Sequence, residues 1–396
     1  MKVYCLILIL FFLGRVATAA EVFEMNRNVR ALGMGNAYTA VVDDEDSLFY
    51  NPAGIGRNSG IFWSVVDFNF GVNDISDTLD TFSNLTGTST EFANALNSLY
   101  GNPIWGGGHG KTAAIFPFFA AGYYYDLDMS VSVNNPSATS MDVNIVSDEG
   151  IAIGAGFSAG IMSFGTVVRR VERTGARRTY GAAAIADIVS GTGSPDDIFN
   201  SFDNSGLGYG LDMGINFGFD TIVAPMLSFV IKDIGNTSFR TSSNAIEAPP
   251  TQEQEMIMGA SMVVDLPLVS VSPAIDIKHL DNSDIQFGKK VHFGIELGVP
   301  LLDLRAGYHQ GYFSYGAGLN LGFMRIDAAS WGVELGEYPG QLEDRRFMLQ
   351  ATMRFGFDVG IGGSGSGGGS GGAKGAASRS GRSGSKGAFR RVKRRR

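Results

Sequence analysis

The sequence has almost no cysteine: Cys5 is the one cysteine among 396 residues. It lies in the first twenty residues, which we predict to be a cleaved signal peptide. The mature chain would then have no thiol, which excludes disulfide bridges, thiolate metal sites and a cysteine nucleophile. With four histidines, none spaced for metal binding or beside a diagnostic nucleophile, we expect no metal, no cofactor and no enzyme activity.

Long apolar runs are also missing. The longest one near the start is Val3–Leu13, which is preceded by Lys2 and followed by Ala17-Thr18-Ala19. A membrane helix needs roughly 20 apolar residues, so this run is too short to span a bilayer. A basic start, a short apolar stretch and small residues at a cleavage site predict a signal peptide over 1–20. No later segment predicts a membrane-spanning helix.

Glycine and aromatic residues are abundant, with 55 glycines, 28 phenylalanines and 13 tyrosines in a chain that is 44% hydrophobic. Residues 207–219 show how they are arranged, because large apolar residues alternate there with glycine, Asp212 and Asn216. The same alternation recurs in 291–299, 313–323 and 347–357. One apolar face and one small or polar face is the pattern of a membrane β-barrel strand.

The alternating segments are ten to thirteen residues long. Globular strands usually have five or six residues, whereas a tilted membrane strand needs about 9–11. We therefore predict an all-β fold, an antiparallel transmembrane β-barrel of about fourteen strands within 60–358. A soluble secreted β-sandwich or propeller is the alternative. The predicted strands are 60–72, 111–124, 126–134, 148–159, 161–173, 206–219, 223–233, 254–265, 268–279, 289–299, 301–309, 312–323, 325–336 and 345–357.

Tight and long connections alternate between these segments, with one exception at 310–311. Bacterial barrels have short periplasmic turns and longer outer loops. The sequence therefore predicts a bacterial outer-membrane protein with both termini in the periplasm.

The two ends of the predicted mature chain differ from its middle. Residues 359–396 are rich in glycine and serine, with ten basic residues and none of the 39 acids. This composition predicts a disordered periplasmic tail, which would bind an anionic surface or protein or be simply solvated. Its compartment excludes nucleic acid as a partner. Residues 21–59 do not alternate, and the acids at 43–46 predict a short helix over about 44–50 that Pro52 ends.

Two stretches of this segment carry a family resemblance. Ala31-Leu32-Gly33-Met34-Gly35-Asn36-Ala37 and Tyr50-Asn51-Pro52-Ala53-Gly54 resemble the outer-membrane barrels of the FadL/PorV type, as does the fourteen-strand count. The resemblance covers roughly 25–357. It implies an N-terminal hatch inside the lumen, within 21–59, formed around Gly33, Gly35, Asn51, Pro52, Ala53 and Gly54. The basic tail departs from the family, whose members usually end on the last strand.

The loop regions 73–110 and 174–205 carry amphipathic helix signals, including a capping box at Thr88 and Glu91. By resemblance to the fatty-acid channels, their apolar residues would capture a ligand; alternatively, the helices pack on each other and cap the pore. The candidate capture residues are Phe92, Leu96, Leu99, Tyr100, Ile198, Phe199 and Phe202.

Polar residues on the inward faces predict a wet, salt-bridged lumen that holds the hatch or lines a ligand path. They are Asp212, Asn216, His292, Glu296, Arg305 and Arg354. Together with the barrel in contact with outer-membrane lipid, the resemblance implies a channel for passive uptake of hydrophobic or amphipathic small molecules, such as a fatty acid. The alternative is a PorV-like scaffold that does not transport and instead docks secreted or surface proteins.

Overall fold

A computed structural model describes residues 21–22, 24, 27–73, 80–81, 83–134, 139–195, 198, 202, 204–241 and 247–357. The predicted signal peptide and basic tail lie outside the described residues. Among the helices of the described part, none has both the length and the apolar character to cross a membrane.

Fourteen long strands form one sheet. They are β1 (Ile61–Val72), β2 (Ile104–Phe116), β3 (Phe119–Asn134), β4 (Ser140–Ala159), β5 (Met162–Tyr180), β6 (Ser205–Gly218), β7 (Met226–Lys232), β8 (Glu255–Ser261), β9 (Ser270–Ile277), β10 (Val291–Val299), β11 (Leu302–His309), β12 (Tyr312–Asn320), β13 (Met324–Glu334) and β14 (Glu343–Phe357). Two-residue pieces at 240–241 and 264–265 pair with β6 and β9.

The sheet closes on itself. Each strand pairs antiparallel with the next, and β1 pairs with β14 from Ile61 opposite Phe357 to Val72 opposite Phe347. Closure leaves no free strand edge, which is the condition for a sheet to stand in a bilayer. The predicted fourteen-strand antiparallel barrel is confirmed, and the alternative of a two-sheet sandwich is wrong.

The boundary predicted between the second and third strands is wrong. We placed the turn at Tyr125, whereas the chain turns at Pro117-Phe118, within the predicted strand 111–124. Residues 113–123 are apolar or small at nearly every position, so the alternation that marks a strand end is hidden there. Pro117, which lacks an N–H donor and has a fixed φ, suits the turn. Strands β4 and β5 also extend farther than predicted, starting at Ser140 and ending at Tyr180.

The pleat sorts side chains as the alternation predicted. On β14, Arg346, Met348 and Gln350 are buried, while Phe347 and Leu349 are exposed. Exposed aromatic and aliphatic side chains continue around the outside of the ring, so its outer surface is a broad apolar belt. A belt of this kind is typical of contact with lipid.

The helices are short. They are α1 (Val29–Gly33), α2 (Ser89–Leu99), α3 (Ala182–Val189) and α4 (Phe287–Lys290), with 3₁₀ turns at Glu45–Leu48 and Pro52–Arg57. The helix predicted over 44–50 is therefore a 3₁₀ turn, capped by the Asp44 side chain on the amide of Asp46. Pro52 does not only end it: proline is accepted at the first position of a helix, and a second 3₁₀ turn starts there. The capping box at Thr88 and Glu91 is confirmed.

The two rims of the barrel differ. We call turn rim the end formed by the connections 117–118, 160–161, 219–225, 262–269, 300–301 and 321–323, where β1 also starts and β14 ends. The opposite end, the loop rim, carries 73–103, 181–204 and 233–254 as its longest connections. The predicted alternation of short and long connections is thus present.

Candidate functional site

The N-terminal segment (residues 27–58) lies against the inward faces of strands on all sides of the ring. Its α1 contacts β11 to β14, and its second 3₁₀ turn contacts β4, β5 and β6. Residues before it reach the loop rim, since Glu21 pairs with Arg346 near the start of β14 at 2.7 Å. The segment therefore runs down the lumen from the loop rim to the turn rim, where β1 begins.

The Asn-Pro-Ala-Gly stretch is anchored at β6. The Asn51 side chain accepts from the Ala53 amide at 3.0 Å, and so caps the 3₁₀ turn that Pro52 starts. Its Nδ2 donates to Asn216 Oδ1 and to the Thr39 carbonyl, both at 2.8 Å. Asn51 is fully buried, so these contacts satisfy an amide that would otherwise cost free energy in the lumen.

The glycines of the first stretch meet glycines of the wall. Gly33 lies against Gly316 so closely that a side chain on either would clash with the other backbone. Gly35 has a φ of +61°, the left-handed region that favours glycine, and it approaches Gly307 in the same way. His292 completes this contact, with Nδ1 2.8 Å from the Gly35 carbonyl oxygen. Backbone therefore packs on backbone on this side of the lumen.

A chain of ion pairs ties α1 to the wall. Arg30 donates two hydrogen bonds to the Glu296 carboxylate, at 2.8 and 2.9 Å. Arg305 donates to the same carboxylate at 2.7 Å and to Asp327 at 2.7 Å. Paired and hydrogen-bonded charges of this kind can be buried, whereas a lone one would be destabilising. Glu296 thus holds the N-terminal segment to β10 and β11 together.

A second charged cluster lies nearer the turn rim. Arg354 donates to Asp44 and Glu45, Ser64 also donates to Glu45, and Lys111 donates to Asp46. The four consecutive acids at 43–46 share few basic side chains there as ion-pair partners, among them Arg354 and Lys111.

Burial and the neighbouring acids set the proton affinity of this cluster. Burial raises the pKa of Glu45 to about 7, although Arg354 opposes the shift. Burial and then Asp44 raise the pKa of Asp43 to about 6. Both pKa values are thus raised toward neutral pH, and we expect the contact of the segment with β14 to depend on pH.

A second segment enters the lumen from the loop rim. The β7–β8 connection, 233–254, folds inward, where Asp233 pairs with Arg169 at 2.8 Å. Asp212 accepts from the same guanidinium at 2.9 Å and from the Asp233 amide at 2.7 Å. The glycines at 206, 208 and 210 of β6 leave room for Phe239, Pro249 and Thr237 of this connection.

Arg173 lies four residues after Arg169 on β5, nearer the loop rim, and holds the same connection. Its guanidinium makes two 2.7 Å hydrogen bonds to Asp148 and donates to the Pro250 carbonyl at 2.8 Å. It also lies 4.6 Å from the centre of the Phe239 ring, in a cation–π contact.

We did not predict Arg169 and Arg173 as lumen residues from the sequence. Around them charged residues occupy both faces of β5, at Arg170 and Glu172 as well as inward, so the hydrophobic alternation is lost. The signal that could have identified them is a Val-x-Arg pattern that occurs twice on the same face of the strand, at Val167 to Arg169 and at Val171 to Arg173.

A cavity of about 440 Å³ lies in the lumen near the loop rim. It is bounded below by the N-terminal segment and at the side by the 233–254 connection. Most of its lining is charged or polar, from both acids and bases, with a few apolar side chains. The apolar ones are Val22, Leu32, Val171, Phe239 and Ile285.

The six predicted lumen residues all lie on inward faces in this arrangement. Asp212 and Asn216 contact the two inserted segments, while His292, Glu296, Arg305 and Arg354 contact the N-terminal segment alone or through each other. They hold inserted chain, and none of the six lines the cavity. Within the described residues, no group of three or more histidine, aspartate or glutamate side chains is placed to bind a metal.

The loop helices lie outside the barrel wall. Val131 lies eight positions from the exposed Tyr123 on β3, and Val143 lies eight positions from the exposed Ile151 on β4. Because the register of β2 to β5 is uninterrupted, both valines face outward as Tyr123 and Ile151 do. These valines are buried because α2 and α3 cover them. The wall therefore separates the helices from the cavity, which is lined by the opposite face of β4 and β5.

The candidate capture residues meet in that outer cluster. Phe92, Leu96 and Leu99 of α2 pack with Ile198 and Phe202, all of them buried, and Tyr100 packs at the edge. Phe199 lies outside the described residues. Because these described side chains are buried against one another and the wall, the capture role stays a prediction that requires the helices to separate.

Comparison with known proteins gives structural similarity alone. No protein-family model matches the chain, and no curated protein matches it by sequence. Among solved structures, the chain is similar to the Pseudomonas putida toluene transporter TodX, with 10% identity, a TM-score of 0.47, and 86% of this chain and 100% of that chain covered. It is also similar to the CymD monoaromatic hydrocarbon channel, with 10% identity, a TM-score of 0.41, and 82% and 96% covered. A Pseudomonas aeruginosa FadL homologue follows, with 11% identity, a TM-score of 0.36, and 84% and 99% covered.

The geometry of the chain itself therefore defines its class. Fourteen antiparallel strands close into a ring, glycines on the inner face admit two inserted segments, and apolar side chains cover the outer face. The protein is a closed fourteen-strand antiparallel β-barrel whose lumen is occupied by its own N-terminal segment and by the connection between β7 and β8.

Proposed function

We propose that this protein is an outer-membrane channel for the passive uptake of hydrophobic or amphipathic small molecules, in which the N-terminal segment is the hatch. The observation that carries the proposal is the cavity of about 440 Å³ directly above that segment. The segment is held by side-chain contacts and glycine packing, so it can move without breaking the strand ladder. A filled lumen also argues against an open pore for hydrophilic solutes.

The sequence resemblance implies a hydrophobic or amphipathic ligand, and the residues that line the cavity distinguish between these two classes. Charged groups such as Lys232, Glu255 and Lys278 face the cavity together with Val171 and Phe239. A ligand with a polar head and an apolar body can contact both kinds of surface, whereas a neutral hydrocarbon would displace water from the charged groups without hydrogen-bonding to them. The lining therefore favours an amphipathic ligand.

One observation favours the alternative, a scaffold that docks secreted or surface proteins. The N-terminal segment is tied to the wall by several buried ion pairs, including those of Arg30 and Arg354. A permanently filled barrel would suit a protein whose outer loops, rather than its lumen, are functional.

Vesicle uptake separates the two functions. Purified protein in phospholipid vesicles should admit a fluorescent long-chain fatty acid while excluding a sugar of similar mass. Mass spectrometry of the detergent extract should find a stoichiometric amphiphile. Uptake equal to that of empty vesicles, with no bound amphiphile and a stoichiometric protein partner, would instead establish the scaffold and exclude the channel.

A further inference from the structure

The connections of the turn rim are unusually apolar. Six large side chains, one from each connection, are between 51% and 89% exposed: Phe118, Ile161, Ile222, Leu266, Leu301 and Phe323. Asp220 and Asp265 are the charged residues in all six connections. Large exposed apolar side chains on every connection of one rim are unusual on a water-facing surface and mark an interaction surface.

Two of these residues occupy backbone positions that do not suit them. Phe118 has a φ of +70° and Leu301 a φ of +68°, each directly after a proline in a two-residue turn. Glycine or asparagine is the ordinary residue there, since a Cβ crowds the left-handed backbone. A large apolar side chain in that position, twice on one rim, is explained by a contact that the side chain makes beyond the turn.

The height of the apolar belt identifies the contact. On β5 the first outward charge above the turn rim is Arg170, which lies nine positions after the turn residue Ile161. At about 3.3 Å per residue and a tilt of about 40°, that stretch spans roughly 23 Å along the barrel axis. From Phe355 to Arg345 on β14 the span is roughly 25 Å by the same estimate.

An outer-membrane barrel has an apolar band of about 25 Å. On β5 the belt approaches that height only when the turn residue Ile161 is included, and on β14 it reaches that height at Phe355, two residues before the strand ends at the turn rim. The turn residues therefore continue the lipid-facing surface, in which Asp220 and Asp265 are the only charged residues of the six connections.

We propose that the turn rim is inserted in the membrane, with its six apolar side chains in the lipid of the leaflet on that side. The lumen then opens at the level of lipid instead of water, and an amphipathic molecule that passes the N-terminal segment is delivered directly into that leaflet. The inference rests on the proposed membrane location and adds the acceptor of the ligand.

Spin-label depth measurements test this placement. Single cysteines replace Phe118, Ile222 and Leu301 in the full chain carrying Cys5→Ser, and each is labelled with a nitroxide. The labelled protein is reconstituted in vesicles of phosphatidylethanolamine and phosphatidylglycerol. Collision rates are then compared for oxygen, which concentrates in lipid, and a nickel chelate, which stays in water. Leu349→Cys on the outer belt and Tyr338→Cys at the loop rim are the references.

We expect the three rim labels to collide mainly with oxygen, as the Leu349→Cys label does, and the Tyr338→Cys label to collide mainly with nickel. Rim labels in water beside a Leu349→Cys label in lipid would overturn the inference and leave a membrane barrel. Labels shielded from both reagents would overturn it too, because a protein or a second copy would then cover the rim. If the Leu349→Cys label is also in water, the proposed membrane location itself is wrong.

A companion variant keeps the turns intact. Asparagine tolerates the left-handed backbone, so Phe118→Asn with Leu301→Asn should leave the barrel folded. It should shift a label at Ile161→Cys toward the nickel reagent by drawing the rim out of the lipid. An unchanged Ile161→Cys label would show that these side chains do not hold the rim in the membrane.

Discussion

Inward-facing glycines divide the lumen between two inserted segments. On β6, Gly206 and Gly208 face the 233–254 connection, while Gly214 faces Asn51 and Pro52. Gly307 on β11 faces the backbone of Gly35. Each of these glycines is therefore a contact site, because a wall residue without a side chain is what lets a second chain approach.

Gly307→Ala should displace the N-terminal segment. The added Cβ would overlap the Gly35 backbone, which cannot yield as a flexible side chain can. We expect a higher single-channel conductance in planar bilayers with an intact barrel. Gly106→Ala is the matched control, since a Cβ there meets open space apart from Met129 at 3.9 Å, and it should leave conductance unchanged. Equal conductance of the two variants would contradict the assigned packing.

Glu45 should make docking of the segment pH-dependent. Its pKa is raised to about 7 when docked, above the ordinary value of 4.5, so docking binds a proton. The stabilisation is then complete below about pH 4.5 and is lost as the pH rises through about 7. Hydrogen exchange of residues 43–57, corrected for intrinsic rates, should therefore be faster at pH 8 than at pH 5.5.

Glu45→Gln mimics the protonated carboxyl and should flatten this dependence. Glu91→Gln, in the exposed capping box of α2, should leave it as in the parent protein. Exchange that slows with rising pH in the parent would show that the sign is wrong.

At the scale of elements, the long connections of the loop rim lie on two different sides of the barrel wall. The 233–254 connection turns inward and is pinned by Arg169 and Arg173, whereas α2 and α3 lie on the outside of β2 to β5. The lengths of β4 and β5 explain the second arrangement. These strands continue past the exposed apolar belt, and α2 and α3 cover the apolar residues of their outer faces there.

Arg173→Met should free the inward connection. The change leaves Asp148 buried without its partner and removes the hydrogen bond to the Pro250 carbonyl. Breaking one side of a buried ion pair typically costs about 3–5 kcal/mol. Proteolysis within 233–254 should become faster, while the double variant Arg173→Met/Asp148→Asn should recover part of the protection. A double variant no better protected than the single one would show that the unpaired carboxylate is not the cause.

Phe92→Ala tests the outer cluster. Phe92 is fully buried between α2 and the wall, and truncating such a ring costs about 3–5 kcal/mol. We expect faster cleavage within 73–103 and an unchanged resistance of the barrel to unfolding in SDS. Fatty-acid uptake decides the role of the cluster: loss of uptake supports capture, and unchanged uptake shows that α2 only covers the wall. The exposed Asn94→Ala is the control for a change on the same helix.

At the scale of the whole molecule, the strand ladder closes independently of the segments that occupy its lumen. The ladder is continuous from β1 through β14 and back, so no wall strand depends on the N-terminal segment for its pairing. The inward charges that hold the segment, among them Glu296 and Arg305, would face water if the segment were absent.

Deleting 27–57 should therefore convert the protein into an open pore. We expect a barrel that still migrates as a folded species in unheated SDS gels, together with sugar permeation into vesicles that the full protein excludes. A deletion variant that fails to fold would show that the lumen contacts of residues such as Asn51 are part of the barrel core. A folded but impermeable variant would show that 233–254 closes the lumen alone.

Much of the wall could be read from the sequence. Alternation at 207–219 and 347–357 identifies a strand, its length and its lipid side, because the pleat places neighbouring residues on opposite faces whatever the partner strand is. The fourteen-strand count and the inward position of Asp212 and Glu296 follow from that local rule. It failed at 111–124, where small and apolar residues stand on both faces.

The contents of the lumen were decided by tertiary structure. Gly208 and Gly214 are equivalent in sequence, yet one receives Phe239 and the other Asn51, since the occupant comes from a segment distant in the chain. The same holds for Phe92, whose helical face was predictable but whose partner, the outside of β3 and β4, was not. Sequence periodicity is local and determined the strands and their faces. The occupants of the lumen and the position of the helices depend on contacts between distant residues, which only the closed barrel brings together.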